Sequence, residues 1–414
     1  MFANILRRFS DNLDTLRDFV DLVNPILDKA REEAITANPN ALIPLVLGMN
    51  AIAPEKFCLD TSFVEHLQSQ FDGKLDIQVE EEGNKSAKLS FNNSGGDAFH
   101  STMAKLSKRS AQKGLLYQNA LISLVSAVEW FLSQLLHKYF ELYPDAAGIR
   151  ERSLTLSELQ LIGTIDEAKN YLIGIRIEEI LRGSFSDWIT FMKGNLKLSM
   201  GYLEDDEKYL IEICQRRNLF VHNGGIVNKI YLNKSGFTNI GIGEQINVSQ
   251  EYLDEAIARF ERFFFLVSLE LWKKLAPDDK ERANIVSDIT YKNLCNERWK
   301  IAESLSFFLM NDKQLPEMNR LISQINYWQS LKWQDRFTEV RKDVERIDFS
   351  AKNEIFSLAQ SVLLDDEQRF FQLLPILLKA EKLSEKDLHE WPLFRKIRNT
   401  DTFKTIYNPK LVSE

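Results

Sequence analysis

The stretch from Leu115 to Tyr143, LLYQNALISLVSAVEWFLSQLLHKYFELY, constrains the fold more than any other part of the chain. It keeps a helical period yet is apolar over more than one face, so it demands burial among other helices. Pro144 and Gly148 stop it. The rest of the chain supplies partners. Leu13, Leu16, Phe19/Val20, Val23 and Leu27 recur every three or four residues, which predicts amphipathic helices over residues 1 to about 70. Thr155-Leu156-Ser157-Glu158 is a capping box that starts a helix near 156. Another helix is expected from about Asp205 to His222, closed by Gly224-Gly225 at a left-handed cap. After a short exposed piece, Ile226 to Val248, Ser249 caps a helix rich in phenylalanine (Phe260, Phe263, Phe264, Phe265) that reaches Leu275, with Pro277 beyond. Residues 115–275 therefore read as a four- or five-helix bundle.

Two flanking regions complete a three-part, mainly α chain of 414 residues, in which only 17 Gly and 10 Pro argue against loop-dominated folds. In the first, residues 1–97, Lys74 to Glu81 (KLDIQVEE) alternates apolar and polar, Glu82-Gly83-Asn84 signals a turn, and Lys88 to Asn92 can return as a small β-hairpin. Asn92 to Asp97 (NNSGGD) reads as a break, so the bundle is assigned 98–277. The last region, 278–414, is helical. Trp299 and Trp333 are 34 residues apart, a spacing that suits helical hairpins of the tetratricopeptide type. Ile355 to Leu363 and Gln368 to Lys379 form a further expected hairpin.

Composition excludes several classes. Three cysteines (Cys58, Cys214, Cys295), odd in number and far apart, give neither a disulfide framework nor a zinc site, so no metal or other cofactor is expected. The start, MFANILRRFSDNLDTLRDF, brings Asp11, Asp14 and Asp18 soon after Arg7 and Arg8, unlike a signal or transit peptide. The apolar stretch Ala41 to Pro54 is broken by Pro44 and Asn50 and falls short of the roughly 18 residues of a membrane helix. These readings predict a cytoplasmic chain without a membrane partner. The net charge of −8 leaves no overall field to hold a nucleic acid, so such a role needs a local basic site.

One segment supplies that site: Arg216-Arg217-Asn218-Leu219-Phe220-Val221-His222-Asn223-Gly224-Gly225. The apolar stripe of its helix runs through Leu210, Ile213/Cys214 and Phe220/Val221, and the position that continues it holds Arg217. An arginine on such a stripe costs several kcal/mol unless paired, hydrogen-bonded or hydrated. Asn218 and His222, four apart, share a neighbouring face. Arg217 and His222 are separated by about 140° around the helix and about 7.5 Å along it. Arg, Asn and His without a carboxylate or metal-ligand set suit cleavage of RNA by its own 2′-hydroxyl, which needs a base, an acid and stabilisation of a phosphorane-like charge. One histidine cannot be base and acid in a single step. A symmetric dimer supplies two.

Arg217-Asn218-x3-His222 resembles the R-x(4–6)-H motif of the HEPN superfamily, helical-bundle proteins many of which are metal-independent endoribonucleases. The likeness extends through RRNxxVHNxGxVNxxY, ending at Tyr231, and to Glu129 in the helix segment SAVEWFL. It covers roughly residues 98–275, and Arg216 leaves four or five intervening residues open. The resemblance implies a composite homodimer site with His222 as general acid/base, Arg217 as stabiliser of the transition state, and Asn218 and Asn223 as positioners. It also implies a toxin or antiviral-defence effector restrained by an antitoxin or other regulatory protein, for which the flanking regions are candidates. Some members are targets of a partner nucleotidyltransferase, which would make Tyr231 the modified residue. A different class fits the same bundle: a non-catalytic scaffold that dimerises and recruits a partner through its C-terminal helices.

Structural roles compete at each position. Arg217 can be paired with Glu129 or Glu212, and His222 can cap the last carbonyls of its helix. His66, His100, His137 and His389 have no arginine at the motif spacing. Lys105, Lys108, Arg109 and Lys113 form the densest basic cluster, suited either to an RNA backbone or to a solvated helix face. Arg395, Lys396, Arg398 and Lys404 invite the same two readings. Trp299, Trp328 and Trp333 suit a core better than a base-stacking platform.

Overall fold

A computed structural model describes residues 2–71, 75–80, 86–91, 94–204, 206–237 and 239–407. The protein is mainly α, with 76% of residues in helices and one small antiparallel hairpin. The helices are α1 (Ala3–Thr36), α2 (Ile43–Ile52), α3 (Pro54–Phe57), α4 (Thr61–Gln70), α5 (Ser94–Leu142), α6 (Leu156–Ile162), α7 (Ile165–Leu181), α8 (Phe185–Gly194), α9 (Glu207–Asn223) and α10 (Lys229–Ser235). After them come α11 (Gln250–Leu275), α12 (Glu281–Cys295), α13 (Trp299–Met310), α14 (Glu317–Lys332), α15 (Arg341–Arg346), α16 (Glu354–Leu363), α17 (Glu367–Lys379), α18 (Glu385–Glu390) and α19 (Asp401–Tyr407). Strands β1 (Leu75–Glu80) and β2 (Ser86–Phe91) pair with Leu75 opposite Phe91 and Glu80 opposite Ser86. The expected turn at 82–84 lies outside the described residues.

Local signals place the helix ends where the sequence puts them. Thr155 and Glu158 close the reciprocal capping box of α6. Ser249 accepts the Tyr252 N–H at 3.1 Å to start α11. Gly224, at φ +59°, ends α9.

The core is organised differently from the expected divisions at 97/98 and 277/278. Leu6, Phe9, Leu13 and Val20 of α1 are buried in the same core as α5, α7, α8, α9 and α11. Phe9 stacks on Phe131 of α5 at 4.1 Å between ring centroids. Phe264 meets Phe131 edge-on at 5.9 Å. Each phenylalanine buried this way contributes about 1.5–3 kcal/mol of transfer free energy. That core also takes in Ile285, Val286, Ile289, Ile301 and Leu305, so it continues through α12 and α13. Pro277 follows the end of α11 but does not end the core, because α13 packs back onto α11 and α12 onto α1. A second core starts at Ile325 of α14 and runs to Phe403 of α19. A small third one packs α2 against the hairpin through Ile43, Leu47 and Phe71.

At the other expected boundary, α5 begins at Ser94, inside the Asn92–Asp97 stretch read as a break. Gly96 belongs to its first turn because β2 comes close. A Cβ there would lie 2.7 Å from the Cβ of Phe91. By length and composition α5 is long and apolar enough to cross a membrane, and half of its apolar window is buried inside the protein.

Charged groups stitch α1 to the bundle across this core. Asp14 takes ion pairs from Lys292 at 2.6 Å and from Arg298. Arg17 reaches the fully buried Glu261 of α11 at 2.5 Å.

Candidate functional site

Helix α9 carries the site residues, and its packing decides which of them are available. Leu210, Ile213 and Cys214 turn into the core beside α5 and α11. Burial pushes the Cys214 thiol up to about 12, so it is no nucleophile at neutral pH. The stripe then continues through Leu219 rather than through Val221, which is 48% exposed. Arg217 stands on the α5 side of this stripe. Its Nη2 donates to Oε1 of Glu129 on α5, while its Nε is buried without a hydrogen-bond partner. The pair is half-buried, with side-chain exposures of 23% and 34%. The guanidinium is therefore held by one nitrogen on Glu129, and its Nε shares its lack of a described partner with Arg259, Arg282 and Arg320.

Arg216 is occupied by structure. Its Nε donates to Glu212 at 2.7 Å, its Nη1 to the carbonyl of Asn247 at 2.8 Å, and its guanidinium lies 3.9 Å from the Tyr252 ring. Glu212, 2% exposed, also accepts the hydroxyls of Tyr231 at 2.5 Å and Tyr252 at 2.6 Å. Burial, followed by the Glu212 charge, pushes both phenols well above their ordinary range. Glu212 and Tyr252 are the organising residues that sequence reading left without this role. Glu212 lies one turn before Arg216, so an i,i+4 pair was the only available signal.

Tyr231 is corrected by the same geometry. It is 2% exposed with its hydroxyl on Glu212, so a modifying enzyme has no access to it in the fold. The segment expected to be a short exposed piece contains α10, capped by Asn228 through the Tyr231 N–H at 2.9 Å. With Leu219, Val227 and Ile246, Tyr231 forms a satellite core beneath the end of α9.

His222 occupies the last turn of α9 and is exposed. Among the described residues its side chain makes no hydrogen bond or ion pair, and so it does not cap the helix. Asn218, one turn earlier, is half-buried and likewise free of side-chain bonds among the described residues. Asn223 is committed to the backbone, donating to the Ile226 carbonyl at 2.5 Å. It braces the turn that carries His222. Gly225 packs so closely that a Cβ would fall 2.4 Å from Nε2 of Gln245 and 2.9 Å from the Phe220 ring. Backbone bonds from Ile246 to Gly225 and from Val227 to Glu244, each 2.9 Å, fix the return strand. The histidine therefore stands on a rigid corner.

The basic cluster is not part of this corner. Lys105 and Lys108 are exposed on α5, and Arg109 donates to Gln112 at 2.9 Å. Arg109 precedes Glu129 by twenty residues of one helix, about 30 Å. Lys113 pairs with Asp28 of α1 at 2.7 Å. In the C-terminal region, Arg395 lies 5.4 Å and 5.5 Å from the Trp299 and Trp333 rings, and Arg398 holds the carbonyls of Leu388 and Trp391. Those groups act within the fold, and Trp328 is buried.

Among the described residues, no group of three or more His, Cys, Asp or Glu is arranged to hold a metal ion. None of five clefts among the described residues is lined by Arg217, Asn218 or His222. No family model, no curated protein and no solved structure matches the chain.

Proposed function

We propose that the chain is a metal-independent endoribonuclease whose site forms between two copies around the end of α9. The observation that carries this reading is the exposed His222, unpartnered among the described residues, on the braced corner after Arg217, itself tethered by Glu129. His222 of one copy takes the proton of a ribose 2′-hydroxyl, and the 2′-oxygen attacks the adjacent phosphorus. The 5′-oxygen leaves with a proton from His222 of the second copy. The products are a 2′,3′-cyclic phosphate and a 5′-hydroxyl. Arg217 meets the charge that builds on the equatorial oxygens.

Two further features support a second copy at this place. One chain offers a single histidine here, and the mechanism uses two. The same segment also exposes Val221, Ile226, Ile230 and Ile242, aliphatic side chains whose burial against a twofold mate is favourable. By resemblance to HEPN nucleases, the activity would be that of a toxin or defence effector under the control of a regulatory protein.

The test is incubation of end-labelled RNA with purified protein in EDTA, beside His222→Ala and Arg217→Ala. Cleavage that leaves a cyclic phosphate, is lost in both variants, and is blocked by a 2′-deoxy sugar at the cut supports the reading. Equal behaviour of the three proteins would overturn it in favour of a scaffold.

A further inference from the structure

A cleft of about 500 Å³ opens in the C-terminal half, between α12, α14, α16 and the α18 segment. Its volume falls within the range of about 300–1,000 Å³ typical of ligand sites. Ile325, Phe356 and Leu383 form a buried apolar floor. Met318, Ile322 and Tyr291 line the cleft yet remain 49%, 43% and 41% exposed.

Three polar groups in the lining keep hydrogen-bonding or charge capacity that no described residue uses. Asp288 has no hydrogen bond or ion pair among the described residues. Asp387 accepts the Ser384 N–H and hydroxyl on Oδ2 but pairs with no described cation. Among the described residues no lysine or arginine lines the cleft, so its charged side chains, Asp288 and Asp387, are both acidic. The third group is Asn326, 9% exposed and part of the lining, whose side-chain amide bonds to no described residue. A primary amide both donates and accepts, as a peptide unit does.

We propose that this cleft binds a short peptide segment in which a lysine or arginine is flanked by aliphatic side chains. The segment's backbone pairs with the Asn326 amide, its aliphatic groups cover Met318 and Ile322, and its cation meets Asp288 and Asp387. The acidic lining repels a phosphate backbone, which separates this ligand from RNA. Tyr291 and Trp391 add ring faces that favour the same cation. The proposal does not depend on RNA cleavage, and its test has no nuclease readout.

The experiment pans a phage-displayed library of random dodecapeptides on the full-length protein, with counter-selection on Asp288→Lys. An enriched peptide is then titrated calorimetrically against wild type, Asp288→Lys, Ile322→Glu and Asn326→Leu. Asp288 and Ile322 are exposed, so their variants keep the fold. Lys193→Glu, on α8 and outside the cleft lining, is the control. The expected result is a consensus of one basic residue beside aliphatic ones, with affinity at least tenfold weaker in the three cleft variants. The control should lie within twofold of wild type. Absence of such a consensus, equal binding to Asp288→Lys and Ile322→Glu, or displacement of the peptide by oligouridylate would each overturn the proposal.

Discussion

Arg217 on α9 is tied to Glu129 on α5, a residue 88 positions earlier in the chain. The tie holds the guanidinium on one side of the helix whose last turn presents His222. Under the proposed nuclease reading Glu129 would be a positioning residue. Glu129→Gln should lower single-turnover RNA cleavage by about 10–100-fold, the scale expected when a charged group loses its placement. The pair is partly exposed, so melting should change by no more than about 1 kcal/mol. A variant that cuts at the wild-type rate would remove Glu129 from this role.

A site shared between two copies imposes a rate law. If His222 must come from both chains, cleavage per chain rises with protein concentration until dimers saturate. Serial dilution of wild-type protein with RNA in excess, compared with the sedimentation-derived dimer fraction, measures this. A specific rate that stays flat across a range where the protein is monomeric would contradict a composite site.

Glu212 gathers Arg216, Tyr231 and Tyr252 around one buried carboxylate. Removing the acceptor strands three donors. Glu212→Ala should cost about 3–5 kcal/mol, as breaking buried charged pairs does. Tyr231→Phe removes one donor and should cost about 1–2 kcal/mol. Urea denaturation ranks the two. Near-equal losses would show that Glu212 does not organise the cluster.

Local chemistry was legible in the sequence and long-range choice was not. The caps at Thr155, Ser249 and Gly224 depend on residues within a few positions, and each forms as read. The role of Gly96 depends on Phe91, which arrives through strand pairing, so the Ser94–Asp97 stretch looked like a linker. The motif spacing admitted both Arg216 and Arg217, and only the Asn that follows Arg217 favoured it. Only packing shows that Tyr252 and Glu212 occupy the first and leave the second on Glu129. Val221 looked like core by periodicity, but the satellite core under α10 takes Leu219 instead. The helical character of 278–414 was visible, yet nothing local said that α12 and α13 join the bundle core.

Asp14 makes the α1 attachment sensitive to acid. Burial pushes its carboxyl up, but hydrogen bonds and charge from Lys292 and Arg298 outweigh that and hold it below the ordinary 3.8. The folded protein therefore binds this proton less readily than the unfolded chain. The stability this supplies is present above the unfolded value and is lost as pH falls through the folded one. Glu261, raised by burial against a smaller offset from Arg17, loses stability in the opposite direction as pH rises, and the Asp14 charge adds to that rise, so Asp14→Asn lessens it without reversing the sign. Asp14→Asn should cost about 3 kcal/mol at neutral pH. Its deficit relative to wild type should narrow below about pH 4, measured by urea denaturation across the acid range. A deficit independent of pH would show that the carboxylate charge is not what pins α1.

Two hydrophobic cores meet across a layer in which Arg395 lies over Trp299 and Trp333. Beside that layer α13 packs along α14, where Phe307 meets Tyr327 at 5.6 Å and Glu303 takes Arg336 at 3.0 Å, but the two cores remain separate clusters of buried side chains. Each core should therefore unfold as its own cooperative unit, giving two calorimetric transitions. Phe9→Ala empties a fully buried position stacked on Phe131 and should cost about 3–5 kcal/mol. It should lower only the transition of the unit containing α1, α5 and α11. Leu358→Ala, in the C-terminal core, should cost about 2–5 kcal/mol and lower only the other. Because Phe9 belongs to the unit that also contains α12 and α13, a proteolytic fragment ending near residue 277 should be less stable than one ending after Leu315. If Phe9→Ala and Leu358→Ala shifted one shared transition equally, the packing of α13 on α14 and the Trp-Arg layer together would have to couple the cores as strongly as either is held together.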